Sequence, residues 1–179
     1  MEFSSEYRGH SSEIISLFRA VFAASEGEAE GDLSAGLVRD IFAKTPEQDF
    51  FVYSAWDGHT LIGCIIYSRL RYDQDSRTVF ILSPVAVSTS RQRQGTGQAL
   101  LRHGLDEIRK QGVDVAVTYG DPGYYSRVGF RQITEAQAAA PLSLNFPEGW
   151  LAQPLNGEEL ASLRGPSACI EALNNPDYW

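Results

Sequence analysis

The hydrophobic pattern of the chain changes period twice. Ile14, Phe18, Val21 and Phe22 recur at helical spacing behind the hydroxyls of Ser11 and Ser12. That pattern predicts a helix over 12–23 with a serine cap. Leu37, Ile41 and Phe42 share a face of a second predicted helix, 33–44. Thr45-Pro46 stops it, because the residue before a proline avoids the helical region. The acidic, Gly-rich stretch 25–31 between them reads as a solvated loop. Residues 1–7 read as a short first strand. From Phe50 the pattern is that of strands. The runs 50–56 and 61–67 flank the hairpin signal Asp57-Gly58. Residues 78–87 form a third run, long and apolar, with Pro84 inside it. Proline donates nothing to a ladder, so a bulge or a parting from a neighbour is expected near Ser83-Pro84.

Helical spacing returns over 95–111, with Leu101, Leu105 and Ile108 inward and Gly112 as C-cap. A buried strand over 113–119, a turn at Gly120-Asp121-Pro122-Gly123, a helical turn at 124–127 and a strand at 130–133 follow. The remainder, rich in Ala and Pro, has room for one or two short strands and a tail. Helices first, then a meander of three strands, then strand–helix–strand, make an α/β (α+β) protein: a mixed central sheet with helices on both faces. The expected organisation is a core over 1–135 and an extension over 136–179 within one domain.

Composition narrows the chemistry. The chain has 179 residues, with 15 Lys+Arg against 23 Asp+Glu and a net charge of −8. That length suits one domain with a sizeable core. The acidic balance argues against a nucleic-acid backbone as partner, though it leaves an anionic small ligand at a local site open. No apolar run reaches the ~18 residues that a transmembrane helix needs. The first ten residues lack a basic start followed by an apolar core, so no secretory signal is expected and a cytoplasmic setting is the default. Two cysteines, Cys64 and Cys169, make neither a disulfide framework nor a zinc site. His10, His59 and His103 show no ligand spacing, so no metal is expected.

The sharpest feature lies between the long strand and the third helix, where Val85-Ala86-Val87 leads into Gln92-Arg93-Gln94-Gly95-Thr96-Gly97-Gln98. Glycines let the backbone approach a ligand without a Cβ in the way. The first N–H groups of a helix lack internal partners and sit at its positive end, which favours an anion such as a pyrophosphate. Arg91 and Arg93 add charge. A Walker A loop is excluded, since no Gly-Lys-Ser/Thr occurs. A dinucleotide fingerprint fails because its third glycine position is Leu100 and Asp114 stands at the wrong end of the next strand.

What remains, Gln92-x-x-Gly95-x-Gly97, resembles the Q/R-x-x-G-x-G/A signature with which GNAT-type N-acetyltransferases receive the pyrophosphate of coenzyme A. Tyr125-Ser126-Arg127-Val128-Gly129-Phe130 resembles the Tyr-x-x-x-Gly-Phe of the same family, in the same order and at the matching place. Leu82-Ser83-Pro84-Val85-Ala86-Val87 and Gly120-Asp121-Pro122-Gly123-Tyr124-Tyr125 narrow the resemblance to the YhbS-like branch. The resemblance implies a sheet splayed near Val85–Val87 with acetyl-CoA in the cleft. Its cosubstrate contacts would come from Val85, Ala86, Val87, Gln92, Arg93, Gln94, Gly95, Thr96, Gly97 and Gln98. It also implies a tyrosine, Tyr125, near the thioester sulfur, and transfer of an acetyl group to a primary amine of a small molecule or peptide by direct attack.

An ordinary phenol ionises near pH 10 and a thiol near 8.5. Tyr125 is therefore better read as a hydrogen-bond donor to the developing thiolate than as a full proton donor. The base is open. Many relatives carry a Glu on the long strand, yet 78–87 here holds no carboxylate and no histidine. Asp121, Glu28 and Glu30 are the candidates, beside a water chain or an amine that arrives neutral, and for each carboxylate turn-capping or solvation is the competing role. A non-catalytic acyl-CoA-binding or sensing module is the alternative function, and a homodimer stays open.

Overall fold

A computed structural model describes all residues 1–179. The helices are α1 (Ser11–Glu26), α2 (Glu28–Lys44), α3 (Thr96–Lys110) and α4 (Pro122–Tyr125). The strands are β1 (Glu2–Ser4), β2 (Phe50–Asp57), β3 (Thr60–Arg69), β4 (Arg71–Tyr72), β5 (Val79–Val87), β6 (Val115–Tyr119), β7 (Arg131–Gln132), β8 (Trp150–Pro154) and β9 (Ser167–Ala168). Seven strands form one mixed sheet in the order β1-β2-β3-β5-β6-β8-β7, and β4 pairs with β9 apart from it. The chain divides into two compact units, Met1–Tyr67 with Pro84–Gly104, and Ser68–Ser83 with Leu105–Trp179; β5 and α3 contribute to both. No helix is long and apolar enough to cross a membrane.

In the first unit, the expected loop over 25–31 is helical on both sides of one residue. Gly27, at φ +104°, takes the whole turn between α1 and α2. The acidic residues that suggested a loop serve as the first turn of α2, where negative charge is favoured, and Arg19 reaches across to Glu28 at 2.7 Å and Asp32 at 2.9 Å. Gly31 lets the two helices close: a Cβ there would lie 2.7 Å from the Ala23 Cβ and 2.8 Å from the Arg19 carbonyl. Ile14, Phe18 and Val21 of α1 and Leu37, Val38 and Ile41 of α2 are buried. The Asp57-Gly58 hairpin forms as expected, with Gly58 at φ +58° in the first loop position, the sign a primed turn needs there.

In the second unit, β5 and β6 pair in parallel from Val79↔Val115 to Leu82↔Thr118. The ladder starts two residues later than expected because Asp114 caps it: its carboxylate accepts the Thr78 N–H at 2.8 Å, and its own N–H goes to the Thr78 carbonyl. It stops at the pair before Ser83-Pro84, where the missing proline donor was expected to act. Gly112, at φ +85°, ends α3. Its N–H bonds the Arg109 carbonyl and that of Val113 bonds Ile108, the paired pattern of a glycine C-cap. The expected strand 130–133 shortens to β7, because Phe130 bonds back to Tyr125 instead. Trp150 and Trp179 are buried, and their indole N–H groups bond the carbonyls of Ala138 and Leu173.

The segment before β5 is held by an ion pair. The Arg77 guanidinium grips both Asp75 oxygens at 2.9 and 2.8 Å and donates onward to the carbonyls of Ala161 and Ser162, while Asp75 also accepts the Arg164 N–H. The Asp75 side chain is only 5 % exposed. Bonding to Arg77 holds its carboxyl well below the usual carboxylate range. A depressed carboxyl contributes stability above its unfolded value and loses it as pH falls through the folded one. Asp75→Asn is therefore expected to cost about 1.5–3 kcal/mol at pH 7. The gap between variant and wild-type melting temperatures should narrow as the pH is taken down through and below the carboxylate range. Thermal melts of both proteins across that range check it; a gap independent of pH would show that the charge is not what holds the segment.

Candidate active site

Two separate constellations carry the residues singled out in the sequence. The first is the turn after β5. The Ser88 N–H bonds the Ile62 carbonyl at 2.9 Å, and Gly63 on β3 leaves room for this strand end, since a Cβ there would meet the Ala86 carbonyl at 3.3 Å. The chain then folds through a 3-10 turn, Thr89–Arg91, closed by the Arg91 N–H on the Ser88 carbonyl at 2.8 Å. Side-chain amides brace it: Gln92 Nε2 donates to the Val87 carbonyl and Gln94 Nε2 to Ser90, both at 3.0 Å. The Arg91 guanidinium pairs with the Asp57 carboxylate at the end of β2.

Two residues of this turn have positive φ. Gly95 is at +84°, with open space where a Cβ would stand; Arg93 is at +60°, a conformation that costs a non-glycine residue about 1–3 kcal/mol. α3 begins at Thr96, and the Ala99 N–H makes an early helical bond to the Gly95 carbonyl at 3.0 Å. The amides of Thr96, Gly97 and Gln98 precede it at the positive end of a 15-residue helix. The structure thus brings 91–98 together as one turn at a helix start. Val85, Ala86 and Val87 form the end of β5 that leads into it, and Gln92 is occupied in holding the turn.

The second constellation follows β6. Asp121 caps α4: its Oδ1 accepts the Gly123 N–H at 2.8 Å, and its carbonyl accepts those of Tyr124 and Tyr125. A 3-10 turn, Ser126–Val128, leads to Gly129 at φ +100°. That φ favours glycine, and a Cβ there would also push on the end of the Gln153 side chain, 2.8 Å away, whose amide bonds the Val128 carbonyl. The Phe130 N–H then returns to the Tyr125 carbonyl at 3.3 Å, and the two rings meet edge-on at 5.9 Å. Tyr-x-x-x-Gly-Phe is therefore one closed loop that fixes the tyrosine. The Tyr124 ring stands at 82° to that of Tyr125. Burial, first, and then Tyr124 and Asp121 push the Tyr125 phenol above its ordinary value; the Thr118 hydroxyl acts against them.

Of the other base candidates, Glu28 is engaged by Arg19 and Glu30 is half-buried in the first turn of α2. Sequence reasoning passed over three residues. Asp57 was read only as a turn former, yet it holds Arg91. Thr118 lay unnoticed in a buried strand. Gly120 was one residue of a turn, yet a Cβ on it would lie 2.7 Å from Tyr125 Cε2. No local signal marks these, because each acts on a residue distant in sequence or on the far side of a turn.

Comparison with known proteins decides the family. The model of the acetyltransferase (GNAT) family matches residues 12–130. The chain belongs to the GNAT family. Among curated proteins, it is 27 % identical over 147 residues to the N-acetyltransferase YjhQ of Escherichia coli (strain K12), covering 79 % of this chain and 78 % of YjhQ. It is 30 % identical over 105 residues to the N-acetyltransferase YhbS of the same strain, covering 56 % of this chain and 60 % of YhbS. The crystal structure of E. coli YhbS in complex with CoA superposes with a TM-score of 0.81 at 23 % identity, over 97 % of this chain and 92 % of that one. A GNAT acetyltransferase from Brucella melitensis in complex with acetyl-CoA gives 0.73 at 23 %, over 96 % of each chain. The mixed sheet described above is thus the GNAT fold.

The tightest packing in the second constellation gives a test. Gly120→Ala has to displace the Tyr125 ring, since the new Cβ would lie 2.7 Å from its Cε2, and the ring already meets that of Phe130. The variant is expected to lose about 1–3 kcal/mol of stability and to change the near-ultraviolet dichroism of its tyrosines. Calorimetry and dichroism on the purified variant check both; an unchanged aromatic signal would mean that the ring has room to yield.

Proposed function

We propose that this protein is an acetyl-CoA-dependent N-acetyltransferase that passes the acetyl group directly to a primary amine of a small molecule or peptide. The observation that carries the reading is the pairing, in one GNAT chain, of an open Gly95 turn at the start of α3 with a tyrosine clamped by its own Gly-Phe loop. The residues fit a nucleotide pyrophosphate: a helix N-terminus, space above Gly95, and Arg93 alongside. Acetyl-CoA supplies the thioester carbon that is attacked. The end of β5, Val85–Val87, offers backbone groups that an extended pantetheine arm pairs with as an added strand, and one N–H aimed at the thioester oxygen is worth ~10²–10³ in rate. The amine nitrogen forms the new bond to the acyl carbon, the carbon–sulfur bond breaks, and Tyr125 Oη donates a hydrogen bond to the departing sulfur. Asp121 stands in the same turn as Tyr125 as a candidate acceptor for the amine proton. The bare β5, free of carboxylates, favours the second reading, an acyl-CoA sensor that does no chemistry.

Two measurements test this. Acetyl-CoA at ~100 Kd should stabilise the fold by about 2.7 kcal/mol and raise the melting temperature by roughly 5–10 °C. Gly97→Val, which fills the space by the helix start, should abolish that rise in a protein that stays folded. No shift for the wild type would remove the donor assignment. Thiol release across a panel of amines then separates enzyme from sensor. In that assay Tyr125→Phe should lower kcat ~100-fold with the KM for acetyl-CoA unchanged. A variant with wild-type kcat would take Tyr125 out of the mechanism.

A further inference from the structure

The tyrosine loop closes on itself, yet a side chain from another strand of the second unit also reaches it. Gln153 is the fourth residue of β8, in a run that is otherwise apolar: Trp150, Leu151 and Ala152 before it, Pro154 and Leu155 after it. Trp150, Leu151, Ala152 and Leu155 are buried, and Gln153 is half-buried. An amide in such a place needs a partner. It has one in the loop, where its Nε2 donates to the Val128 carbonyl at 2.9 Å.

The strand register shows why a side chain makes this tie. Gln153 stands opposite Ala116 and Leu151 opposite Thr118, so Gln153 and Thr118 share one face of the sheet. Along the other edge of β8, β7 pairs as Arg131↔Ala152 and Gln132↔Leu151, and the ladder stops there. One step further would set Phe130 opposite Gln153. The Phe130 N–H turns back to the Tyr125 carbonyl instead. The backbone ladder thus ends where the tyrosine loop begins, and the Gln153 side chain ties the loop to the sheet in its place. Gly129 completes the fit. A Cβ there would lie 2.8 Å from Gln153 Nε2 and 3.1 Å from its Cδ and Oε1, so the amide fills the room that the missing side chain leaves.

We propose that Gln153 is a positioning residue for Tyr125. The path between them is short. Gln153 holds the Val128 carbonyl, Gly129 follows, and Phe130 comes next, with its N–H on the Tyr125 carbonyl and its ring edge-on to the Tyr125 ring at 5.9 Å. Gln153 acts through this loop and not on the reacting atoms. The position calls for a donor: an ionised glutamate has the same shape but no hydrogen to give a carbonyl, and leucine has none either. The duty this serves, a phenol held where it meets the departing sulfur, rests on the transferase reading above.

The test uses the full chain with Gln153→Glu, which keeps the shape and removes the donor, and Gln153→Leu, which removes the amide. Gln153 is half-buried, so both variants are expected to fold, which far-ultraviolet dichroism verifies. The first readout needs no turnover. In protein carrying isotope-labelled tyrosine, the Tyr125 nuclear magnetic resonance signal, identified by its loss in Tyr125→Phe, should shift in both variants. The signal of Tyr72, whose hydroxyl donates to the Ala139 carbonyl, should hold. The second readout is a double-mutant cycle on thiol release. Each variant should lower kcat about tenfold in the wild-type background, with the KM for acetyl-CoA unchanged, and lower it no further once Tyr125→Phe is present. An equal loss in both backgrounds would reduce the effect to general damage and overturn the proposal. Wild-type kcat in both variants, or an unmoved Tyr125 signal, would overturn it too. If no amine in the panel releases thiol, the transferase reading fails, and the Tyr125 signal still decides whether Gln153 places the ring.

Discussion

A single missing donor organises the strand on which both units depend. β5 runs nine residues, and Pro84, its sixth, has no N–H. A central parallel strand needs its donors on both edges, so a proline inside it marks the place where pairing on one edge ends. The β5–β6 ladder closes at Leu82↔Thr118, and the last pair is reinforced by the Thr118 hydroxyl on the Leu82 carbonyl at 2.9 Å. One residue beyond Tyr119, the Gly120 N–H goes to Gly149 in the other neighbouring segment. From there both chain paths lead to irregular structure: β5 into the Gly95 turn, and β6 into the capped turn of Asp121 and Tyr125. The loops that carry the candidate site residues thus begin where regular pairing on β5 and β6 stops, which is where backbone groups are left for partners outside the ladder.

Much of this was readable because the deciding physics is local. Pro84 acts through its own nitrogen. Gly58 and Gly112 act through their own φ, each at a turn the flanking pattern announced, and Gly129 through its own within the Tyr-x-x-x-Gly-Phe motif. The Gln92-x-x-Gly95-x-Gly97 turn is closed almost wholly by contacts within ten residues, from Val87 to Gln94. The same holds for Tyr125 to Phe130. A short motif carries information when most of the structure it specifies is local, and in both of these the distant partners, Asp57 and Gln153, add to bonds the motif makes within itself.

What stayed hidden has partners far along the chain. The stretch 25–31 looked like a loop because two glycines of low helix propensity interrupt a run of charge that has no apolar stripe. It is helical because Arg19 binds Glu28 and Asp32, and because Gly31 lets α2 close on α1. Those are tertiary gains that outweigh propensity. Asp57 reaches Arg91 across thirty-four positions, and Arg77 ties its own strand entrance to Ala161 and Ser162. No periodicity or motif encodes such pairs, and they decide which cations around the Gly95 turn already have a carboxylate.

The environment of Tyr125 bears on what the proposed transfer asks of it. An ordinary phenol is already a weaker acid than a thiol, so handing its proton fully to a thiolate is uphill by about 2 kcal/mol. Burial pushes the Tyr125 phenol further up and widens that gap. Under the proposed transfer, a tyrosine so placed would keep its proton and would act on the departing sulfur by hydrogen bonding as charge develops there. Clamping matters more than acidity in that role, which fits a ring locked between Gly120 and Phe130. The proton balance then falls on the amine side. Asp121 gives one oxygen to its cap but has a second, and it stands four residues before Tyr125 on the exposed side of the turn. A capped carboxylate is held in position by the bond that occupies its first oxygen, so the cap that looks like a purely structural duty is also what would aim the other oxygen at an incoming amine.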